Sequence, residues 1–145
     1  MTPLKEHRPA SRAGKTAATL LIVVAGFQGL LAAGAPWGEA AYGGANSGVL
    51  PETLRVSSAA SAVIYLGLAG IAGTRLTPTS FRSRFMYGTS ALMTVGAIMN
   101  IASPSFIERI IWTPVTILLV MSLWRAARLD AAGATSLGAR ATAGP

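Results

Sequence analysis

The chain has 145 residues, of which 52% are hydrophobic and only 12% are charged, and its formal net charge is +7. This composition excludes an ordinary soluble domain and indicates an integral membrane protein. The Lys and Arg residues cluster at the ends of apolar runs, so they indicate membrane orientation, and we expect no nucleic-acid partner. Cysteine is absent and the one histidine is His7, so we expect no disulfide, no metal and no cofactor.

A basic segment, residues 1–15, opens the chain and predicts a cytoplasmic tail that lies near the anionic headgroups of the lipid bilayer. The next 23 residues, 16–38, are uncharged and long enough to cross a hydrocarbon core of about 30 Å. We therefore predict the first transmembrane helix at about 16–36. The alternative is a signal peptide cleaved at small residues, which Pro36 opposes because it would directly follow the cut.

The stretch 34–54 is the one long segment that is turn-rich and not apolar. Trp37 and Tyr42 suit the headgroup level, and the glycines that follow predict turns. Because the stretch lacks the basic excess of a cytoplasmic loop, we place it outside the membrane. It is either a lid over the helix ends or an interfacial connector, and the sequence leans towards the connector.

The second helix is predicted at about 52–74, where 19 uncharged residues follow Arg55. Its glycines at 67, 70 and 73 predict a narrow face for close helix packing. The segment after it carries three arginines and no acid, which is typical of a cytoplasmic loop.

The third helix is predicted at about 85–102, inside 23 uncharged residues that end before Glu108. Its Ser90 and Thr94, together with Asn100, are expected to bond across a helix interface or back to their own helix.

The fourth helix is predicted at about 105–124. Only 15 uncharged residues precede Arg125, but Ser105 and Glu108 have the spacing of a capping box and would start the helix earlier. The residues 125–145 are rich in alanine, glycine and threonine, and we predict a flexible cytoplasmic tail.

Together these segments predict an all-α fold, a four-transmembrane-helix bundle over residues 16–124. The basic residues place both termini in the cytoplasm and leave one long extracytoplasmic loop between the first two helices. The expected location is a bacterial cytoplasmic (inner) membrane.

This topology places six candidate site residues in the outer half of the membrane or just above it: Gln28, Glu39, Asn100, Glu108, Arg109 and Trp112. Arg109 stands in the first turn of a helix, where its charge opposes the helix dipole, so Glu39 or Glu52 is its expected ion-pair partner. The alternative is that Glu108 caps its helix, Arg109 reaches the headgroups, and Trp112 belongs to an aromatic belt.

The sequence holds no nucleophile and base at motif spacing, so we expect no enzyme. One hypothesis is a non-enzymatic accessory or scaffolding component that assembles, through its glycine faces, as a homo-oligomer or in a larger membrane complex. The other is a small-solute or lipid-binding, permease-like protein with an outward-facing polar vestibule near Gln28, Tyr65 and Asn100. A water-accessible cavity that reaches Gln28 or Asn100 would favour the second hypothesis.

Three short motifs occur in a characteristic order: GAPWG at 34–38, Leu50-Pro51, and WTPV at 112–115. This order resembles small, uncharacterised four-helix integral membrane proteins of actinobacteria. The resemblance covers residues 17–124 and implies a four-helix fold. It implies no activity and no site residue.

Overall fold

The computed structural model describes residues 10–142, and this range is all-α. Its four helices are α1 (Arg12–Ala33), α2 (Glu52–Gly73), α3 (Thr79–Ile101) and α4 (Phe106–Thr142). Between α1 and α2 the chain makes two single 3-10 turns, at Gly38–Ala40 and Tyr42–Gly44.

Three of the helices are long and apolar enough to cross a membrane: α1, α2 and the Phe106–Ser136 part of α4. The helix α3 has 23 residues, and its serine, threonine and asparagine side chains make it less apolar than the other three helices. The Ser90 hydroxyl donates to the Val120 carbonyl of α4 at 3.2 Å, and Thr94 donates to the Ser90 carbonyl at 2.9 Å. The predicted bonding of these hydroxyls is confirmed, while α3 as a fourth membrane span stays a prediction.

The helices alternate in direction and form two tight hairpins, α1 with α2 and α3 with α4. The hairpins join along α1 and α4, whereas α2 and α3 barely touch. Alanine, leucine and methionine fill the shared core: Ala17, Ala18, Leu21, Ala69, Ala72, Met86, Met93, Leu119, Leu123, Ala126 and Ala127. The centre of the fold therefore lies between α1 and α4.

Small residues set the distance between α1 and α2. A Cβ atom added to Gly73 would lie 2.9 Å from an α1 side chain, and one added to Gly14 would lie 2.7 Å from the Ala72 carbonyl. Such close approach of two backbones requires glycine. The other glycines of the predicted packing face, Gly67 and Gly70, have no atom within 4 Å of an added Cβ. Of those three, only Gly73 lies in this interface.

Side-chain caps decide where two helices begin. Ser11 caps α1, which starts at Arg12 and therefore before the predicted residue 16. Ser105 caps α4 by accepting the Glu108 N–H at 3.1 Å, as its spacing predicts. The Glu108 carboxylate, however, does not complete a capping box, because it binds groups outside the helix.

The structure continues α4 to Thr142, where a flexible tail was predicted from residue 125. Ala126 and Ala127 are fully buried in the core, and Asp130 is only 1% exposed. Alanine favours helix, and packing of this face supplies the stability that propensity alone lacks. The predicted tail is therefore helical as far as residue 142.

Candidate ligand-binding cavity

The two ends of the bundle hold its polar side chains. We call the end that carries residues 34–51 and 102–105 the loop end. The opposite end carries residues 74–78, and we call it the Arg82 end. The candidate site residues lie at the loop end.

At the loop end, the segment between α1 and α2 folds back onto the start of α4. The Gly43 N–H donates to Oε2 of Glu108 at 2.9 Å, and the Trp112 indole N–H donates to the Ala40 carbonyl at 2.8 Å. The Ser105 hydroxyl donates to the Glu39 carbonyl. Three separate hydrogen bonds thus hold the segment against α4.

The backbone of this segment is bent where it meets α4. Tyr42, Gly43 and Gly44 have φ angles of 51°, 76° and 71°, a region that glycine adopts most readily. A Cβ atom added to Gly44 would lie 2.6 Å from the Cβ of Ser105. Glycine at position 44 therefore satisfies both the turn and the close contact with α4.

Aromatic rings form the border between two depressions at the loop end. Phe27 lies between Trp37 and Trp112, with ring centroids 6.1 Å and 4.5 Å away. On one side is an open groove of about 690 Å³, lined mainly by aliphatic and aromatic side chains of α1 and α4, with Glu39 as its one charged residue. A groove of this composition, along helices that are long and apolar enough to cross a membrane, is suited to lipid chains.

On the other side lies a more polar cavity of about 310 Å³, which we call the polar cavity. All four helices and the segment between α1 and α2 contribute to it. Its lining residues are Val24, Phe27, Gln28, Ala40, Ala41, Tyr42, Ser61, Tyr65, Asn100, Glu108, Trp112 and Thr116.

The polar cavity contains an unsatisfied amide oxygen. Oε1 of Gln28 is buried and has no hydrogen-bond partner among the described residues. The Asn100 amide reaches Thr116 only at 3.4 Å, whereas the Tyr42 hydroxyl lies 3.0 Å from that of Ser58. A buried acceptor without a donor costs about 1–3 kcal/mol, so the Gln28 oxygen is a polar group that the described part of the chain leaves unsatisfied.

Four of the six predicted site residues line the polar cavity: Gln28, Asn100, Glu108 and Trp112. The fifth, Glu39, lies in the neighbouring groove. Arg109 lines neither depression and is exposed at the start of α4.

The expected ion pair of Arg109 with Glu39 or Glu52 is not formed. The ion pairs found within residues 10–142 are those of Arg75 and Arg82 with Asp130. The loop instead reaches α4 through Glu108, whose carboxylate accepts from a loop N–H and from the Ser103 hydroxyl. A backbone donor is held in place by the turn itself, so this contact needs no second charged side chain.

Tyr42, Ser61 and Thr116 are not among the predicted site residues, although they line the polar cavity. Tyr65 could be found from the sequence, because a phenol in the middle of an apolar helix requires a polar neighbour. Ser61 lies one helical turn before Tyr65 on the same face of α2, which is the pattern that would have identified it.

At the Arg82 end, an arginine is buried where the helices meet. Arg82 is 1% exposed. Its Nε donates to the Ile71 carbonyl at 2.9 Å, and one terminal nitrogen donates to the Ala72 carbonyl at 2.6 Å. These carbonyls belong to the last turn of α2, which carries partial negative charge. The other terminal nitrogen donates to Asp130 at 2.6 Å.

Neighbouring groups complete this arrangement. Arg75 reaches the second oxygen of Asp130 at 3.4 Å, and Ser83 donates to the Ala127 carbonyl at 3.0 Å. Arg82 also lies so near Gly14 of α1 that a Cβ there would approach its guanidinium to 2.9 Å. One side chain thus connects all four helices.

The sequence did not reveal this ion pair. The arginines after α2 predict a cytoplasmic loop, and the composition of residues 125–145 predicts a flexible tail, so the sequence predicts no contact between Arg82 and Asp130. A usable pattern existed, because Leu123, Ala126 and Asp130 recur at helical spacing and so continue the buried face of α4.

The geometry at the loop end offers binding groups, and comparisons with known proteins add no function to it. No protein-family model, no curated protein and no solved structure matches the chain.

Proposed function

We infer that this chain is a non-enzymatic integral membrane protein that binds a small polar molecule in the polar cavity. The observation that carries the proposal is the Gln28 amide oxygen, buried without a donor in the lining of a cavity of about 310 Å³. Binding clefts are commonly about 300–1,000 Å³, with a few polar groups among apolar walls. This lining has that composition.

A cavity left only by imperfect packing would have a different, apolar lining. Empty cavities in proteins are apolar, because buried polar groups without partners are costly. Here the lining includes two carboxamides, a carboxylate and two phenols. A polar molecule that supplies donors would offset their desolvation.

Charge distribution supports an outward-facing cavity in a bacterial cytoplasmic membrane. Arginines 75, 82, 84, 125 and 128 all lie towards the Arg82 end. Basic residues favour the cytoplasmic side, so the loop end would face outward and both termini inward. The absence of native cysteine allows a direct test, in which an impermeant thiol reagent should not label Ser80→Cys in intact cells. External labelling there would refute the orientation.

The binding proposal is tested by purifying the full chain in mild detergent and weighing it by native mass spectrometry. We expect the wild-type chain to carry a small bound molecule and Gln28→Met to have lost it. Gly96→Ala is the matched control, because nothing lies within 4 Å of the added methyl group. A wild-type chain that purifies without any bound small molecule and also binds no small polar molecule added to it would contradict the proposal.

The second candidate is the accessory or scaffolding role, supported by the open faces at Gly67 and Gly70 of α2. Small residues on a lipid-facing surface permit another helix to pack closely. Gly70→Leu should dissociate a homo-oligomer or larger complex without unfolding the chain. Light scattering in detergent would measure this, and an unchanged mass of the complex would count against the role.

A further inference from the structure

The charge and aromatic content of the polar cavity define the ligand more closely. Of the residues that line it, Glu108 is the only one with a formal charge at neutral pH. No lysine or arginine belongs to the described lining. The formal charge of the described lining is therefore negative, which favours a cation over an anionic molecule.

The hydrogen-bonding groups favour a ligand that donates. The Trp112 N–H is already used by the Ala40 carbonyl, and the Tyr42 hydroxyl lies within hydrogen-bond distance of Ser58 and the Leu54 carbonyl. Among the remaining groups, the Gln28 oxygen can only accept, whereas the Ser61 and Tyr65 hydroxyls can donate or accept. A ligand N–H would satisfy the Gln28 oxygen, whereas a ligand acceptor would not.

Aromatic rings are the third feature of the polar cavity that bears on its ligand. Phe27, Tyr42, Tyr65 and Trp112 all line the cavity, together with one carboxylate. The face of an aromatic ring attracts ammonium groups, and this attraction grows where water is excluded. A carboxylate, an amide oxygen and aromatic rings together are groups that can recognise an ammonium ion.

We propose that the polar cavity binds a small organic ammonium ion, a protonated primary amine whose N–H groups reach Glu108 and the Gln28 oxygen. The proposal rests on the proposed binding function and names the chemical class of its ligand. Only binding is implied, so no bond is made or broken.

The test uses three probes of equal chain length: butylammonium, 1-butanol and butyrate. Binding to the full chain in detergent is measured by isothermal titration calorimetry. We expect butylammonium to bind about tenfold or more tightly than 1-butanol, because a charge pair at this depth is worth more than one in water. Equal binding of all three probes, or preference for butyrate, would overturn the ammonium assignment while leaving a binding cavity.

Two glutamates at the loop end give a matched pair of variants. Glu108→Gln removes the cavity charge but keeps an oxygen that can accept the Gly43 N–H. Glu39→Gln removes the same charge from the neighbouring groove, outside the described lining of the polar cavity. We expect the first to weaken butylammonium binding about tenfold and the second to leave it within about twofold. An equal effect of both variants would contradict a local role of Glu108.

Gln28→Met tests the role of the amide oxygen in ligand binding separately from charge and from stability. It removes the unsatisfied oxygen without removing charge, so we expect weaker butylammonium binding in a chain that melts no lower than wild type. If wild-type chain binds none of the three probes and also purifies without any bound molecule, the binding function fails as well. If it purifies with a bound molecule that is not an amine, only the ammonium assignment fails.

Discussion

The buried Arg82 guanidinium at one end of the bundle and the buried Gln28 amide oxygen at the other differ in their hydrogen-bond partners. At the Arg82 end, a buried guanidinium donates to Asp130 and to two carbonyls of α2. At the loop end, the buried Gln28 oxygen has no donor within the described part of the chain. Each guanidinium nitrogen of Arg82 has a partner, and the side chain connects the helices, whereas the Gln28 oxygen is the group that we propose a ligand satisfies. The contrast concerns these two groups, because the Thr77 hydroxyl at the Arg82 end is also buried without a partner among the described residues.

The largest effect is expected at the Arg82 end. Asp130→Ala leaves the Arg82 charge buried without its carboxylate, and we expect it to lower the free energy of unfolding by about 3–5 kcal/mol. Arg84→Met is the matched control for loss of one charge, because Arg84 is exposed on the same helix as Arg82. Denaturation in mixed micelles gives the measurement. Equal effects of the two variants would mean that the buried ion pair does not connect the helices.

A smaller effect on stability is expected from tighter packing at the same end. Gly14→Ala places a methyl group against the Ala72 carbonyl and the Arg82 guanidinium, and overpacking of this kind costs about 1–3 kcal/mol. Gly29→Ala lies on the same helix with nothing within 4 Å, so it should stabilise α1 by up to about 1 kcal/mol. Opposite signs in a thermal melt are the expected outcome, and a stabilising Gly14→Ala would show that α1 is free to move away.

The next comparison is within the loop end. Gly44→Ala meets both an unfavourable φ of 71° and the Ser105 side chain, whereas Gly48→Ala meets only an unfavourable φ of 79°. We expect the backbone conformation alone to lower the free energy of unfolding by roughly 1–2 kcal/mol in each variant. The loss should be larger for Gly44→Ala because of the added contact with Ser105. Limited proteolysis of the segment between α1 and α2 reports the loss. Equal cleavage of both variants would show that contact with α4 does not stabilise the segment between α1 and α2.

The smallest effect distinguishes the two ends most directly. Gln28→Met replaces an unsatisfied polar group with an apolar one of similar shape, so we expect the free energy of unfolding to stay constant or to rise by about 1 kcal/mol. The same micelle denaturation measures it. A loss comparable to that of Asp130→Ala would mean that Gln28 has a structural partner, and the contrast between the ends would disappear.

Composition and hydropathy by themselves determined the all-α fold and the approximate positions of its helices. The predicted second helix, 52–74, matches α2, and the predicted start at 105 is one residue from Phe106, whereas α3 begins at Thr79, six residues before the predicted 85. These features are local, because a long uncharged run and a serine cap act within a few residues. The same reasoning identified Gln28 and Asn100 as side chains that require partners.

Tertiary structure alone decided which polar groups are satisfied. Arg82 and Asp130 are 48 residues apart, so no local pattern joins them. The contact of Gly43 with Glu108 spans 65 residues and replaced the ion pair predicted for Arg109. Helix formation depends on neighbours in sequence, whereas the pairing of buried charges and the shape of a cavity depend on which helices meet. Only their packing left the Gln28 oxygen without a donor.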